Sequence, residues 1–196
     1  MMALHTRLLD RVEPQRWRNG GGLTRELFAW PEGDAWQLRI SVADVIADGP
    51  FSRYDGVQRW FAVVHGDGVL LRFADRTVTL DAQAAPLAFD GAAAPGCELL
   101  GGATQHLNLM HRGGTALMQR ARAGDVWRVP HRWRGVYSAV PGGLRIDGFE
   151  AATLAGPGLI VDEGAGGQRW QFEPAHDGAV FWLAVEPAAT DEGAAP

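Results

Sequence analysis

Apolar and polar positions alternate along this chain in short runs, interrupted at regular intervals by glycine and proline. Such runs occupy 23–30, 36–45, 59–64, 68–73, 76–80 and 86–90, then 97–102, 105–111, 115–121, 135–140, 143–149, 152–156, 158–162 and 179–186. A period of two sends successive side chains to opposite faces, which is the geometry of a strand. The 26 glycines and 11 prolines fall mostly between the runs, where hairpins and corners need them. Residues 2–12 come nearest to a helical period, but the stretch is short and lacks a strong cap. The pattern predicts an all-β chain, folded as a sandwich or barrel.

The pattern also repeats. WFAVVHGDGVLLRF (60–73) and GVYSAVPGGLRIDG (135–148) share an apolar strand, a glycine-bearing turn and an alternating strand, with Gly68 and Gly143 aligned at an offset of 75. TVTLDAQAAPLAFDG (77–91) and ATLAGPGLIVDEG (152–164) match in the same manner. Two copies of a strand-turn-strand unit predict two fused small barrels, residues 1–100 and 101–187, in one compact body. Residues 188–196 read as a frayed tail.

Composition narrows the partners. Apolar residues make up 46% and charged residues 21%, and the net charge of −5 is spread without blocks. No basic patch marks the chain for nucleic acid or an anionic membrane. All 18 basic residues are arginine, which excludes lysine Schiff-base chemistry and suits bidentate capture of carboxylates. Cys97 stands alone, so no internal disulfide can form and a reducing compartment is expected. The first residues carry charges and no apolar signal core, and no run is long enough to span a bilayer, so a cytoplasmic location is expected.

Alternation sorts the polar residues into faces. Thr24, Glu26 and Phe28 share one face of their strand, and Arg39 and Ser41 share one of the next. His106, Asn108 and Met110 share another, backed by Leu107 and Leu109. Arg59 enters an otherwise apolar run, and a charge there needs a partner. Glu26 and Arg59 could pair with each other, or Arg59 could hold an acidic ligand. Standard nucleophile and redox motifs are absent. No His-x-His occurs, and His106 and His111 project from opposite faces, so no metal and no cofactor is expected.

The segment WRNGGGLTRE (17–26) raises its own question, since three glycines resist ordering unless a tight turn or a close approach requires them. It resembles the signature of the HutD/Ves family. RISVA (39–43), ADGPFSRYDGVQR (47–59) and HLNLMHRG (106–113) are similar to further segments of that family. The resemblance implies a bicupin, two jelly-roll barrels of the double-stranded β-helix type, that has lost its metal-binding histidines. It implies a role in histidine utilisation and a pocket for a small carboxylate: a formylated amino acid, a dicarboxylate, urocanate or formate. On this basis Asn19, Gly21, Thr24, Glu26, Arg39, Ser41, Ser52 and Arg59 are expected to converge, joined by His106 and Asn108. The glycine N–H groups would add anion donors. Two departures stand out: Tyr54-Asp55-Gly56 where the family has Phe-Pro-Gly, and His106 where it often has an acid. The alternatives are a metal-free isomerase, lyase or hydrolase with Glu26 as base, and a Ves-like stress protein. A homodimer is compatible with either.

Overall fold

The run Leu38–Val45 is buried along almost its whole length, on both faces. Leu38, Ile40 and Val42 enter one apolar cluster, while Arg39, Ser41 and Ala43 project from the other side. A strand covered on both sides must lie between two further layers, and the architecture follows from that. The computed structural model describes residues 4–122, 124–164 and 166–188. All but the first residue of the tail expected at 188–196 lies outside the described residues.

In the first part of the chain the strands are β1 (Leu4–Leu8), β2 (Gln15–Arg16), β3 (Gly22–Trp30), β4 (Leu38–Val45), β5 (Gly49–Pro50), β6 (Gln58–His65), β7 (Val69–Arg72), β8 (Thr77–Leu80), β9 (Leu87–Asp90), β10 (Gly96–Leu99) and β11 (Thr104–His111). Then come β12 (Thr115–Arg120), β13 (Trp133–Ser138), β14 (Gly142–Ile146), β15 (Phe149–Leu154), β16 (Gly158–Glu163), β17 (Trp170–Pro174) and β18 (Val180–Glu186). Two single-turn 3-10 segments, Leu9–Arg11 and Gly91–Ala93, are the helical content among the described residues. None of the described helices is long and apolar enough to cross a membrane. The all-β expectation holds. Residues 2 and 3 of the hint of helix at 2–12 lie outside the described residues, and the rest holds β1 and one 3-10 turn; β1, β2, β5 and β17 are strands that periodicity did not disclose.

The strands form four sheets: β5-β10-β7-β8, β2-β3-β4-β11-β6-β9, β1-β16-β13-β18-β12 and β15-β14-β17. Three apolar clusters stack them in that order. Phe61, Val63 and Phe89 of the six-stranded sheet meet Val69, Leu71 and Leu80 of the four-stranded one. The opposite face of the six-stranded sheet, with Ile40, Val42 and Leu109, packs on Tyr137, Val161 and Phe181 of the five-stranded sheet. Val136, Ile160 and Trp182 then meet Leu144, Leu154 and Phe172 of the three-stranded sheet. Each fully buried side chain of this kind contributes about 1.5–3 kcal/mol.

Two closed barrels were expected, and four open sheets form. The chain crosses between the six- and four-stranded sheets at the β4–β5, β5–β6, β6–β7, β8–β9, β9–β10 and β10–β11 connections, and β2 and β9 are the edges of the six-stranded sheet. The connectivity nonetheless repeats. β6 pairs with β9 and β11 while β7 pairs with β8 and β10. In the same way β13 pairs with β16 and β18 while β14 pairs with β15 and β17. The repeat read at an offset of 75 is this recurring path through large sheet, small sheet and back. β11 belongs to the first pair of sheets, and β1 joins the second by pairing with β16.

Candidate functional site

One face of the six-stranded sheet carries a polar row. Cross-strand register places Arg39 opposite Met110 and Met110 opposite Arg59, and sets Glu26, Ser41, Asn108 and Phe61 side by side in the neighbouring row. The two arginines are therefore two strand spacings apart, about 10 Å at their backbones. They form the floor of a cavity of about 450 Å³. One wall is the segment after β5, with Phe51, Ser52 and Tyr54, held by Phe51 N–H donating to the Pro95 carbonyl at 2.9 Å and Tyr54 N–H to that of Gly91 at 3.0 Å. The other wall is β2 with the β2–β3 connection, from Gln15 to Asn19.

That connection answers the question of the glycines, and each has a separate reason. Gly20 sits at φ +72°, in the left-handed region that favours glycine. At Gly22 a Cβ would lie 2.5 Å from the Asp44 carbonyl oxygen and 3.1 Å from the Trp17 ring, so a tight packing contact excludes any side chain. Gly21 is under no such constraint, since a Cβ would meet only Asn19, at 3.4 Å. The loop is closed by its own bonds. Gly20 N–H donates to the Trp17 carbonyl (3.1 Å), Gly21 N–H to Asn19 Oδ1 (3.0 Å), and Trp17 Nε1 to Thr24 Oγ1 (2.8 Å). The Gly20 and Gly21 amides thus have internal acceptors and do not form the anion nest that was expected.

The electrostatics of the floor are lopsided. Arg59 donates from Nε (2.9 Å) and Nη2 (2.7 Å) to Oδ1 of Asn108, a neutral amide that is 2% exposed. Its guanidinium lies 4.3 Å over the Phe51 ring, and among the described residues it has no carboxylate partner. Burial, and secondarily the charge of Arg39, push its pKa down to about 10, against a raising influence of Tyr54, so it stays cationic near neutrality. Arg39 donates from Nε to Glu26 Oε2 at 2.6 Å. The pairing of Glu26 with Arg59 is therefore corrected: Glu26 belongs to Arg39 and Arg59 to Asn108. Among the described residues the lining contains four arginines, Arg16, Arg18, Arg39 and Arg59, and no Asp or Glu, in a chain whose net charge is −5.

Seven of the ten expected site residues line this cavity: Asn19, Thr24, Arg39, Ser41, Ser52, Arg59 and Asn108. Gly21 is buried in the loop behind it. Glu26 borders a different crevice with His5 and Arg7. His106 shares the face of Asn108 but does not line the cavity: it is 1% exposed, its Nε2 bonded to Thr104 Oγ1 at 2.7 Å and its ring 4.9 Å from that of Phe61. A β-bulge between Glu26 and Phe28 also turns Phe28 away from the Glu26 face into the cluster of Ile40. Sequence reasoning missed Arg16, Trp17, Arg18, Phe51 and Tyr54; all but Arg16 lie inside the quoted motif segments, which was the available signal. Among the described residues no group of three or more His, Cys, Asp or Glu gathers as a metal would need.

The family model of HutD matches residues 10–137, which include every element that lines the cavity. The chain belongs to the HutD family. An uncharacterized 21.2 kDa protein in the hutC 3′ region of Pseudomonas putida is 36% identical over 113 residues, 57% of this chain and 57% of that protein. The match thus spans just over half of that relative's length. Protein Ves of Escherichia fergusonii is 33% identical over 76 residues, 38% of this chain and 40% of Ves. HutD from Pseudomonas fluorescens SBW25 superposes with a TM-score of 0.81 at 22% identity, covering 95% of this chain and all of that one. A salicylate 1,2-dioxygenase from Pseudoaminobacter salicylatoxidans, at TM-score 0.62 and 10% identity over 93% of this chain and 81% of its own, shares the fold alone. The architecture is of the cupin type. Within the HutD match, Trp17, Arg18, Asn19 and Thr24 line the cavity, and the glycines between them shape the loop that forms its wall.

Proposed function

We propose that this HutD-family protein is a small-carboxylate-binding cupin that modulates histidine utilisation, and that its ligand is a formylated or dicarboxylate metabolite, urocanate or formate. One observation carries the reading: among the described residues, Arg59 keeps a positive charge at the floor of a cavity without a carboxylate to neutralise it. An unpaired charge in such a place is costly unless a ligand completes it. The relative from Pseudomonas fluorescens bears the name HutD and was solved in a formate condition, which is in keeping with this ligand class. Glu26, the base that a turnover reading needs, is held by Arg39 and does not line the cavity.

In this reading the two pairs of sheets are two fused cupin units, joined after β11 at residues 112–114 rather than near residue 100, with β1 contributed by the first unit to the second. The arginine-lined cavity belongs to the first unit. Charge-assisted bonds to a carboxylate are worth about 1.5–3 kcal/mol, or roughly 10- to 100-fold in affinity. Calorimetric titration of wild type and Arg59→Ala with N-formylglutamate, urocanate and formate tests the assignment. The variant should lose that factor for whichever compound the wild type binds, and equal affinity would remove Arg59 from the site.

A further inference from the structure

The recurring strand path puts a second arginine at the place of Arg59. Arg59 is the second residue of β6 and Arg134 the second of β13, separated by the same offset of 75 that relates Gly68 to Gly143. Their surroundings differ in charge. On its β9 side Arg59 faces Phe89, whereas Arg134, on the corresponding β16 side, faces Asp162. Arg134 Nη2 donates to Asp162 Oδ2 at 2.6 Å with both side chains at most 1% exposed, and Nη1 donates to the Gly166 carbonyl. Where the first copy has Asn108, opposite Phe61 on β11, the second has Trp182, opposite Val136 on β18. The second arginine is neutralised and sealed from within. The first is aimed by an amide and left charged beside open space.

We propose that Asn108 is the specificity-determining residue of the first site: a neutral acceptor that orients Arg59 while leaving its charge for a carboxylate from outside. The inference rests on the carboxylate-binding reading above. Oδ1 of Asn108 takes Nε–H and one Nη2–H, which turns the remaining guanidinium donors towards the cavity. A carboxylate at position 108 would make the same contacts and add a charge. Every incoming anion would then compete with a tethered one already in place. The Arg134–Asp162 pair is the chain's own instance of that closed state.

The test compares N-formylglutamate and formate binding to wild type, Asn108→Asp, Asn108→Ala and Arg59→Ala, with thermal melts of each. Asn108→Asp should weaken binding by about 10- to 100-fold, the loss expected when a charge-assisted partner is replaced by repulsion. It should melt no lower than wild type, because it neutralises a buried cation. Asn108→Ala, which removes only the aiming bond, should lose less. An Asn108→Asp protein that binds as wild type does, that melts well below it, or that is outdone by Asn108→Ala overturns the proposal and leaves Asn108 a packing residue. Failure of the function itself has a different signature: no binding by wild type, or full binding by Arg59→Ala.

Discussion

Acidifying the protein from about pH 7 to about pH 4.5 should cost it stability through one histidine in particular. His106 is buried between Thr104 and Phe61, and its pKa is pushed down to about 3, first by burial and then by the charge of Arg59, with Asp44 opposing weakly. In the unfolded chain the same ring titrates near about 6.5. A base held below its ordinary pKa takes up its proton only on unfolding between those two values. Its stabilisation is thus full above about 6.5 and is withdrawn as the pH falls towards the folded value. Between about pH 7 and 4.5 the withdrawal is about 2.5 kcal/mol, a large share of the 5–15 kcal/mol typical of a domain. Urea melts of wild type and His106→Gln at both pH values isolate this contribution, because the other titrating groups are common to both proteins. Glutamine can keep a bond to Thr104 but cannot take the proton, so its pH-dependent loss should be smaller by about 2.5 kcal/mol. Parallel losses, within about 0.5 kcal/mol of each other, would show that His106 is hydrated or charged in the folded protein.

The three glycines should separate by substitution to alanine: Gly22→Ala should unfold the loop or the protein, Gly20→Ala should cost about 1 kcal/mol, and Gly21→Ala should melt like wild type. A tolerated Gly22→Ala would mean that Trp17 and the Asp44 backbone can give way. Asp162→Asn should strand Arg134 and cost about 3–5 kcal/mol in denaturant melts, whereas the double change Arg134→Met with Asp162→Leu should cost much less. Equal losses would show that the pair's shape matters more than its charge.

Much of this structure could be read from alternation alone. Runs such as 36–45 and 105–111 gave β4 and β11 to within a few residues, because two-sided burial leaves few polar positions to blur the period. β1 escaped because three of its five residues are exposed, so Leu4 and Leu8 are its only inward marks. The bulge at Glu26–Phe28 escaped because an inserted residue reverses the period without changing composition. Arg59 could be flagged as a charge in a buried run, yet its partner lies 49 residues away on a neighbouring strand, a distance over which local pattern is silent. The match of Arg59 with Arg134 was legible, since it shares the offset of the repeat. What no pattern showed is that one copy is neutralised and the other is not, because that depends on which strand faces each arginine.

The pairing of β1 with β16 also sets an order in time. Leu4 emerges from the ribosome more than 150 residues ahead of its partner Asp162, and Leu8 likewise waits for Gly158. Until then the five-stranded sheet lacks its outer strand, and the backbone edge of β1 is unpaired in a growing chain. The six-stranded sheet has no such debt, since β2, β3, β4, β6, β9 and β11 are all complete by His111. The cavity-bearing half can therefore assemble while the remainder is still being synthesised. The closure of β1 onto β16 is a contact of long range, and such contacts form slowly. Deleting residues 4–8 should leave the floor of the cavity intact and expose β16 as a new edge, so such a protein should bind ligand yet aggregate.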